Sequence, residues 1–258
     1  MNLGMSGKSV VVTGASRGIG LAVTRALVAE GANVVAVARG ESAELSALAV
    51  HPVIADLTDP QAPATVVEAA RSAFGRLDVL VNNVGAVRAR VGGFASVTDD
   101  DWLQTFQINF FSAVRMTRAA LAPMIAAGSG SIVTVGSVNA FLPDPLVIDY
   151  SAAKAALANF AKALSKEVGP AGVRVNTVSP GPVATDLWLA GDGVAATVAG
   201  HTGGDPDAVV KQAAGGSVTG RFTQPEEVAD LVTFLAGDRA GNITGADFTI
   251  DGGLISTL

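Results

Sequence analysis

The feature that most constrains this chain is an alternation of short, continuously apolar runs with longer segments of helical character. Residues 8–13, 33–38, 52–55, 77–82, 131–137, 173–179 and 246–250 are rich in valine, isoleucine and alanine and read as strands. Most lack a polar-in-two period, as strands covered on both faces must. Between them, residues 19–30, 41–49, 60–74, 99–127, 151–168 and 225–235 read as helices. Glu30-Gly31-Ala32-Asn33, Phe74-Gly75-Arg76 and Gly169-Pro170 mark joints between the two kinds of segment. Strand and helix in strict alternation predict an α/β fold: a doubly wound, parallel, seven-stranded sheet with right-handed crossovers and helices on both faces. No repeat, low-complexity block or linker interrupts the pattern, so residues 1–258 are expected to form a single domain.

Composition narrows the function classes. Hydrophobic residues make up 49% of the chain and charged residues 16%, which is enough apolar material for a large covered core. The chain has no cysteine, which excludes disulfides, thiolate metal sites and cysteine nucleophiles and fits a cytoplasmic location. A net charge of −6 speaks against nucleic acid as a partner, because phosphate backbones want a basic face. The N-terminus carries no signal-peptide pattern. Residues 119–143 are uncharged, but Pro123, Gly128, Ser129, Gly130 and Ser131 break them into pieces too short for the roughly 20 apolar residues of a membrane span. His51 and His201 are the only histidines, lie far apart and have no carboxylate companions, so no metal site is expected.

The first strand runs into Thr13-Gly14-Ala15-Ser16-Arg17-Gly18-Ile19-Gly20 and then into a helix. Glycines there let the backbone turn tightly and approach a pyrophosphate, whose charge is stabilised by N–H groups at the helix N-terminus. The end of the second strand selects the adenosine ribose: a carboxylate would bind the 2′-hydroxyl of NAD and repel a 2′-phosphate. Here Val34-Val35-Ala36-Val37-Ala38 is followed by Arg39, and Arg17 lies in the glycine turn. Two guanidiniums and no carboxylate suit a phosphate, so NADP(H) is favoured over NAD(H).

Tyr150-Ser151-Ala152-Ala153-Lys154 opens a predicted helix, with Tyr150 and Lys154 one turn apart on one face. Lowering a phenol pKa of about 10 by about three units takes about 4 kcal/mol. One ammonium at ~4 Å and an effective dielectric of ~20 supplies about that much. Tyr150 is the only tyrosine, so no other phenol can serve as acid or base. Ser137 ends an apolar strand, where an open α/β sheet places its ligand crevice, and is expected to hold a substrate oxygen against Tyr150. Asn109, an awkward residue inside the segment 99–127, offers its amide or a locally freed carbonyl to a proton-relaying water.

Together, Thr13-Gly14-x-x-x-Gly18-x-Gly20, Asp56, Asn82-Asn83-Val84-Gly85, Asn109, Ser137, Tyr150-x-x-x-Lys154, Pro180-Gly181 and Asp251-Gly252-Gly253 resemble the short-chain dehydrogenase/reductases over essentially the whole chain. The resemblance implies a Rossmann-type fold and a catalytic tetrad of Asn109, Ser137, Tyr150 and Lys154. It implies a cofactor cleft built from Gly14, Ser16, Arg17, Gly18, Ile19 and Gly20, with Arg39, Asp56 and Leu57 on the adenosine side. Asn83, Val84 and Gly85 would line the middle of the cleft, with Tyr150 and Lys154 at the nicotinamide ribose. Pro180, Gly181, Val183 and Thr185 would flank the nicotinamide end. The expected reaction is hydride transfer between nicotinamide and a ketone, a β-ketoacyl thioester or a secondary alcohol, in a homotetramer or homodimer. An intact tetrad disfavours the alternative of a non-catalytic NADP(H)-sensing protein.

The chain departs from the family at Val84, where alanine is usual, and at Gly136, where a second serine is common. Reductases of acyl-carrier substrates usually carry basic residues ahead of the fifth and sixth strands. Residues 126–130 and 169–172 have none, which weakens a carrier-protein substrate. Residues 182–224 contain no strand signal and follow a strand end, so they read as a substrate lid with two short helices. Within and beside it, Asn139, Phe141, Leu187 and Trp188 are candidate substrate contacts together with Ser137, while Trp102 reads as a packing residue. Arg88 and Arg90 face either an anionic substrate or solvent.

Overall fold

The computed structural model describes residues 2–257. Seven parallel strands form one sheet in the order β3-β2-β1-β4-β5-β6-β7. They are β1 (Ser9–Thr13), β2 (Asn33–Ala38), β3 (Val50–Ile54), β4 (Val79–Asn82), β5 (Gly130–Val135), β6 (Val173–Pro180) and β7 (Asp247–Ile250). The chain winds outward from β1 to β3, returns to β4 beside β1, and then winds the other way. The strand order therefore reverses between β1 and β4, where sheets of this kind open a ligand crevice at their carboxyl ends.

The five inner strands are almost wholly buried because helices cover them on both sides. One face packs on α1 (Gly18–Ala29) and α10 (Pro225–Ala236), around Val10, Val12, Leu27, Val228 and Leu235. The other packs on α3 (Ala62–Phe74), α5 (Ser112–Ala127) and α6 (Ile148–Val168), around Val11, Leu80, Met116, Ile132 and Leu164. Burying side chains such as these is worth about 1.5–3 kcal/mol each, the main driving force for this arrangement. The edge strands differ: β3 is largely exposed and tolerates Pro52, which a central strand would not.

Three segments depart from the sequence reading. The helix expected over 41–49 is a single turn, α2 (Ala43–Ser46). The segment 99–127 is not one regular helix: α4 (Asp99–Phe106) and α5 are joined by a π turn over Gln107–Phe111. The Ser112 amide N–H donates five residues back to the Gln107 carbonyl, and π turns of this kind occur often at functional sites. Residues 182–224 hold three short helices rather than two: α7 (Asp186–Leu189), α8 (Val194–Thr202) and α9 (Pro206–Gly215). The two ends of that segment are stitched together, with Thr223 N–H donating to Pro182 O at 3.0 Å and Ala184 N–H to Thr223 O at 2.9 Å. No helix among the described residues is long and apolar enough to cross a membrane.

Candidate active site

The glycine turn lies at the carboxyl end of β1. Gly14 and Gly18 adopt left-handed φ angles of 66° and 53°, which a side chain would strain. A Cβ on Gly20 would lie 2.1 Å from the Gly14 carbonyl oxygen, so only glycine lets α1 start this close to the strand. Arg17 caps α1 with no side-chain hydrogen bond, and no acidic residue occupies the first turn, so the helix N-terminus is left to a ligand anion. Asn83 braces the turn from β4: its Nδ2 donates to Thr13 O at 3.0 Å and Gly14 O at 3.2 Å. Val84 packs against the same turn, its Cγ2 3.3 Å from where a Gly14 Cβ would sit. Ser16, Ile19 and the buried Leu57 complete the surroundings, and Ser16 O accepts from Ser42 Oγ at 3.2 Å.

Arg39 is exposed directly after β2, and its charge helps hold the Asp56 carboxyl below the usual range. The larger causes of that lowering are Thr58 N–H and Thr58 Oγ, which donate to Asp56 Oδ1 at 2.9 and 2.8 Å. Across the cleft, Gly181 follows β6 with its N–H donating to Ile250 O at 3.0 Å. Thr185 reaches the glycine turn: its Cγ2 is 3.2 Å from where a Gly18 Cβ would sit. Pro180 and Val183 are buried between these points. Asp251 accepts from Gly253 N–H and Ile255 N–H, both at 2.9 Å, which makes the Asp251-Gly252-Gly253 sequence a turn lock.

Ser137 lies two residues past the end of β5, in an extended conformation that starts a short 3-10 turn. Its Oγ accepts from Asn139 N–H at 3.2 Å. Tyr150 and Lys154 share the first turns of α6, with the Lys154 Nζ 5.6 Å from the centre of the phenol ring. Lys154 is 3% exposed, and burial pushes its pKa down to about 8. The phenol differs from the sequence expectation. Burial pushes Tyr150 above its ordinary value of 10, while the Ser137 hydroxyl pulls the other way. The Lys154 ammonium donates to the carbonyl of Val135, at 2.9 Å.

Asn109 sits in the π turn, fully buried. Its Oδ1 accepts from Ala86 N–H at 3.0 Å, and its Nδ2 donates to Ala86 O at 2.8 Å and Thr105 O at 3.0 Å. The side-chain amide is thus committed to the protein. Gly85 is pressed between the two: a Cβ there would lie 3.0 Å from Asn109 Oδ1 and 3.5 Å from Lys154 Nζ.

Among the substrate candidates, Asn139 adjoins Ser137, while Phe141 and Leu187 are exposed apolar side chains. Trp188 stacks edge-on against Phe222, 5.2 Å between ring centres, and Trp102 packs along its own helix near Phe106. Arg88 is exposed, but Arg90 is not free for a ligand: its mostly covered side chain is held in ion pairs with Asp149 and Asp101. The pair with Asp149 is the part of the site the sequence reading missed. Its one signal is a carboxylate immediately before the helix tyrosine. His51 and His201 are both exposed, and no group of three or more potential ligands gathers among the described residues.

Comparison with known proteins places this arrangement. The family model of the short chain dehydrogenases matches residues 8–191. The chain belongs to that family. It is a nicotinamide-dependent oxidoreductase of CH–OH and C=O groups. A 3-oxoacyl-[acyl-carrier-protein] reductase of Salmonella typhimurium is 34% identical over 98% of this chain and 99% of its own length. An oxidoreductase of Bacillus subtilis is 35% identical over the full length of both. The L-sorbose reductase of Gluconobacter frateurii, solved with NADPH and L-sorbose, superposes with a TM-score of 0.91 at 34% identity and covers all of both chains.

Proposed function

We propose that this short-chain dehydrogenase is an NADP(H)-dependent reductase of ketones, with Tyr150 as the acid that protonates the nascent alkoxide. The observation that carries this reading is the meeting of Ser137, Tyr150, Lys154 and Asn109 with the glycine turn at the carboxyl ends of β1, β4, β5 and β6. The cofactor fits: the glycines of the turn and the uncapped N-terminus of α1 suit a pyrophosphate, and Arg17 and Arg39 suit a 2′-phosphate. The sorbose reductase of the same fold was solved with NADPH, which supports the choice.

NADPH, when bound, supplies the hydride to the carbonyl carbon. Ser137 Oγ holds the carbonyl oxygen, and the Tyr150 hydroxyl gives that oxygen its proton. A phenol above its ordinary value stays protonated at neutral pH and is a ready donor. Lys154 would bind the ribose of the cofactor beside Tyr150 and, with its pKa near 8, would return a proton to the phenolate, relayed by a water at the Asn109 turn. Residues 182–224, stitched at their root, would act as the substrate lid, with Leu187 and Trp188 of the lid and Asn139 and Phe141 after Ser137 as the substrate contacts. Exposed Leu103 and Phe111 on the long helical segment support assembly as a homotetramer or homodimer.

The test is Tyr150→Phe, assayed with NADPH against free ketones, ketoses and β-ketoacyl thioesters. Turnover should fall by about a hundredfold or more while NADPH binding persists. Undiminished turnover in that variant would remove Tyr150 from the chemistry.

A further inference from the structure

Asp149 precedes Tyr150 and is 1% exposed. Its Oδ2 accepts from Arg90 Nη2 at 2.5 Å, Arg90 Nε at 3.1 Å and Thr105 Oγ1 at 2.7 Å. Burial works against the charge, but the Arg90 and Thr105 hydrogen bonds outweigh it and hold the carboxyl below its ordinary range. Arg90 is spent as well. Its Nη1 donates to Asp101 Oδ1 at 2.8 Å, and its main-chain N–H donates to Leu146 O at 2.6 Å.

This knot ties α6, which carries Tyr150 and Lys154, to α4, which runs into the Asn109 turn, and to the loop after β4. Arg90 lies on the loop that leaves β4 through Gly85 and Ala86. Thr105 belongs to α4, and its carbonyl accepts from Asn109 Nδ2. Asp149 is in the first turn of α6, next to Tyr150 and one turn from Lys154. A surface aspartate would serve the α6 N-terminus equally well and without desolvation. A buried ion pair adds little net stability over apolar packing, and its best-attested use is to fix one register among several.

We propose that Arg90 and Asp149 are positioning residues, which fix the Tyr150 phenol in register with Lys154 and the Asn109 turn so that the proton path is aligned. The inference rests on the reductase reading given above. It makes Arg90 part of the active-site frame rather than a contact for substrate.

The test uses the full-length protein as Asp149→Asn, Arg90→Lys and the charge-neutral double variant Arg90→Gln/Asp149→Asn. All are assayed below their melting temperatures and normalised to NADPH-binding sites. Each single variant should lose about tenfold to a hundredfold in kcat, with KM for the ketone and Kd for NADPH within about threefold. The double variant should be no worse than the poorer single one, because both changes remove one device. Arg90→Lys should recover little, since a point charge cannot replace the fork.

A second readout is independent of turnover. Tyr150 is the only tyrosine, so the ultraviolet tyrosinate absorbance reports it alone. Loss of the knot should loosen the phenol's packing and move its midpoint down towards the ordinary value of 10. A kcat per binding site within about twofold of wild type, or an unmoved tyrosinate midpoint, would overturn the proposal even if the melting temperature fell. Should Asp149→Asn fail to fold, the double variant decides by the same criteria. A wild type that binds NADPH but reduces no carbonyl compound would sink the reductase reading, and the tyrosinate midpoint alone would then judge the positioning.

Discussion

Lys154 buries its ammonium beneath the end of β5 and donates from Nζ to the carbonyl oxygen of Val135 at 2.9 Å. This one bond replaces the water the ammonium has lost, and burial still brings its pKa from 10.5 to about 8. The charged form is therefore disfavoured in the folded state, and folding is penalised wherever Lys154 is protonated. Between about pH 8 and 10.5 the unfolded chain binds a proton that the folded one does not, so stability rises with pH across that window. Lys154→Met removes the titration. Wild type should gain up to about 3 kcal/mol relative to this variant as pH climbs from about 7 to 10. Urea melts at a series of pH values measure the gap; a gap constant with pH would show that the ammonium is not desolvated.

The same burial acts on Tyr150 in the opposite sense. A neutral phenol is favoured over phenolate, so the ligand-free protein should show one tyrosinate transition, with its midpoint above 10. Ser137→Ala removes the hydroxyl that partly offsets burial, and its midpoint should lie higher still. In Tyr150→Phe the transition should vanish. Spectrophotometric titration checks all three, and a wild-type midpoint at or below 10 would contradict the burial argument.

Much of this was legible in the sequence because it rests on local rules. Runs such as Val10-Val11-Val12 and Val34-Val35 can be satisfied only inside a sheet covered on both faces, and the glycine turn announces itself by position. Other parts depend on tertiary geometry. Nothing local in Gln107-Ile108-Asn109 specifies a π turn, whose Asn109 binds both main-chain groups of Ala86, 23 residues away. The Arg90–Asp149 pair spans 59 residues, so each partner alone reads as an ordinary surface charge. The direction of the Tyr150 shift is not legible locally for a related reason. A helical spacing gives the distance to Lys154, but the depth of burial and the competing Val135 carbonyl come only from the fold.

Arg39 stands alone after β2, with its guanidinium in solvent near Asp56. If it recognises the 2′-phosphate, Arg39→Ala should weaken NADPH by about tenfold or more and leave NADH within about twofold. Adding Arg17→Ala should erase the remaining preference. Titration of each cofactor by its fluorescence measures both. A wild type that binds NADH more tightly, or a variant indifferent to losing Arg39, would reassign the cofactor.

Gly136 explains one departure from the family pattern. It lies between β5 and Ser137, its N–H donating to Val178 O at 2.7 Å, with the side chains of β6 directly alongside. A Cβ at this position would lie 2.8 Å from both Thr177 Cγ2 and Ser179 Oγ. The second serine common in the family therefore cannot be installed unless the Thr177 and Ser179 side chains give way. Gly136→Ser should destabilise the protein by about 1–3 kcal/mol through overpacking. Because Ser137 follows directly, kcat should fall more than NADPH affinity. Trimming the neighbours with Thr177→Ser and Ser179→Ala should recover stability by more than the sum of the separate effects, as expected for residues in contact. Chemical denaturation of the single and combined variants measures this coupling, and strictly additive changes would mean that the crowding at Gly136 is relieved in some other way.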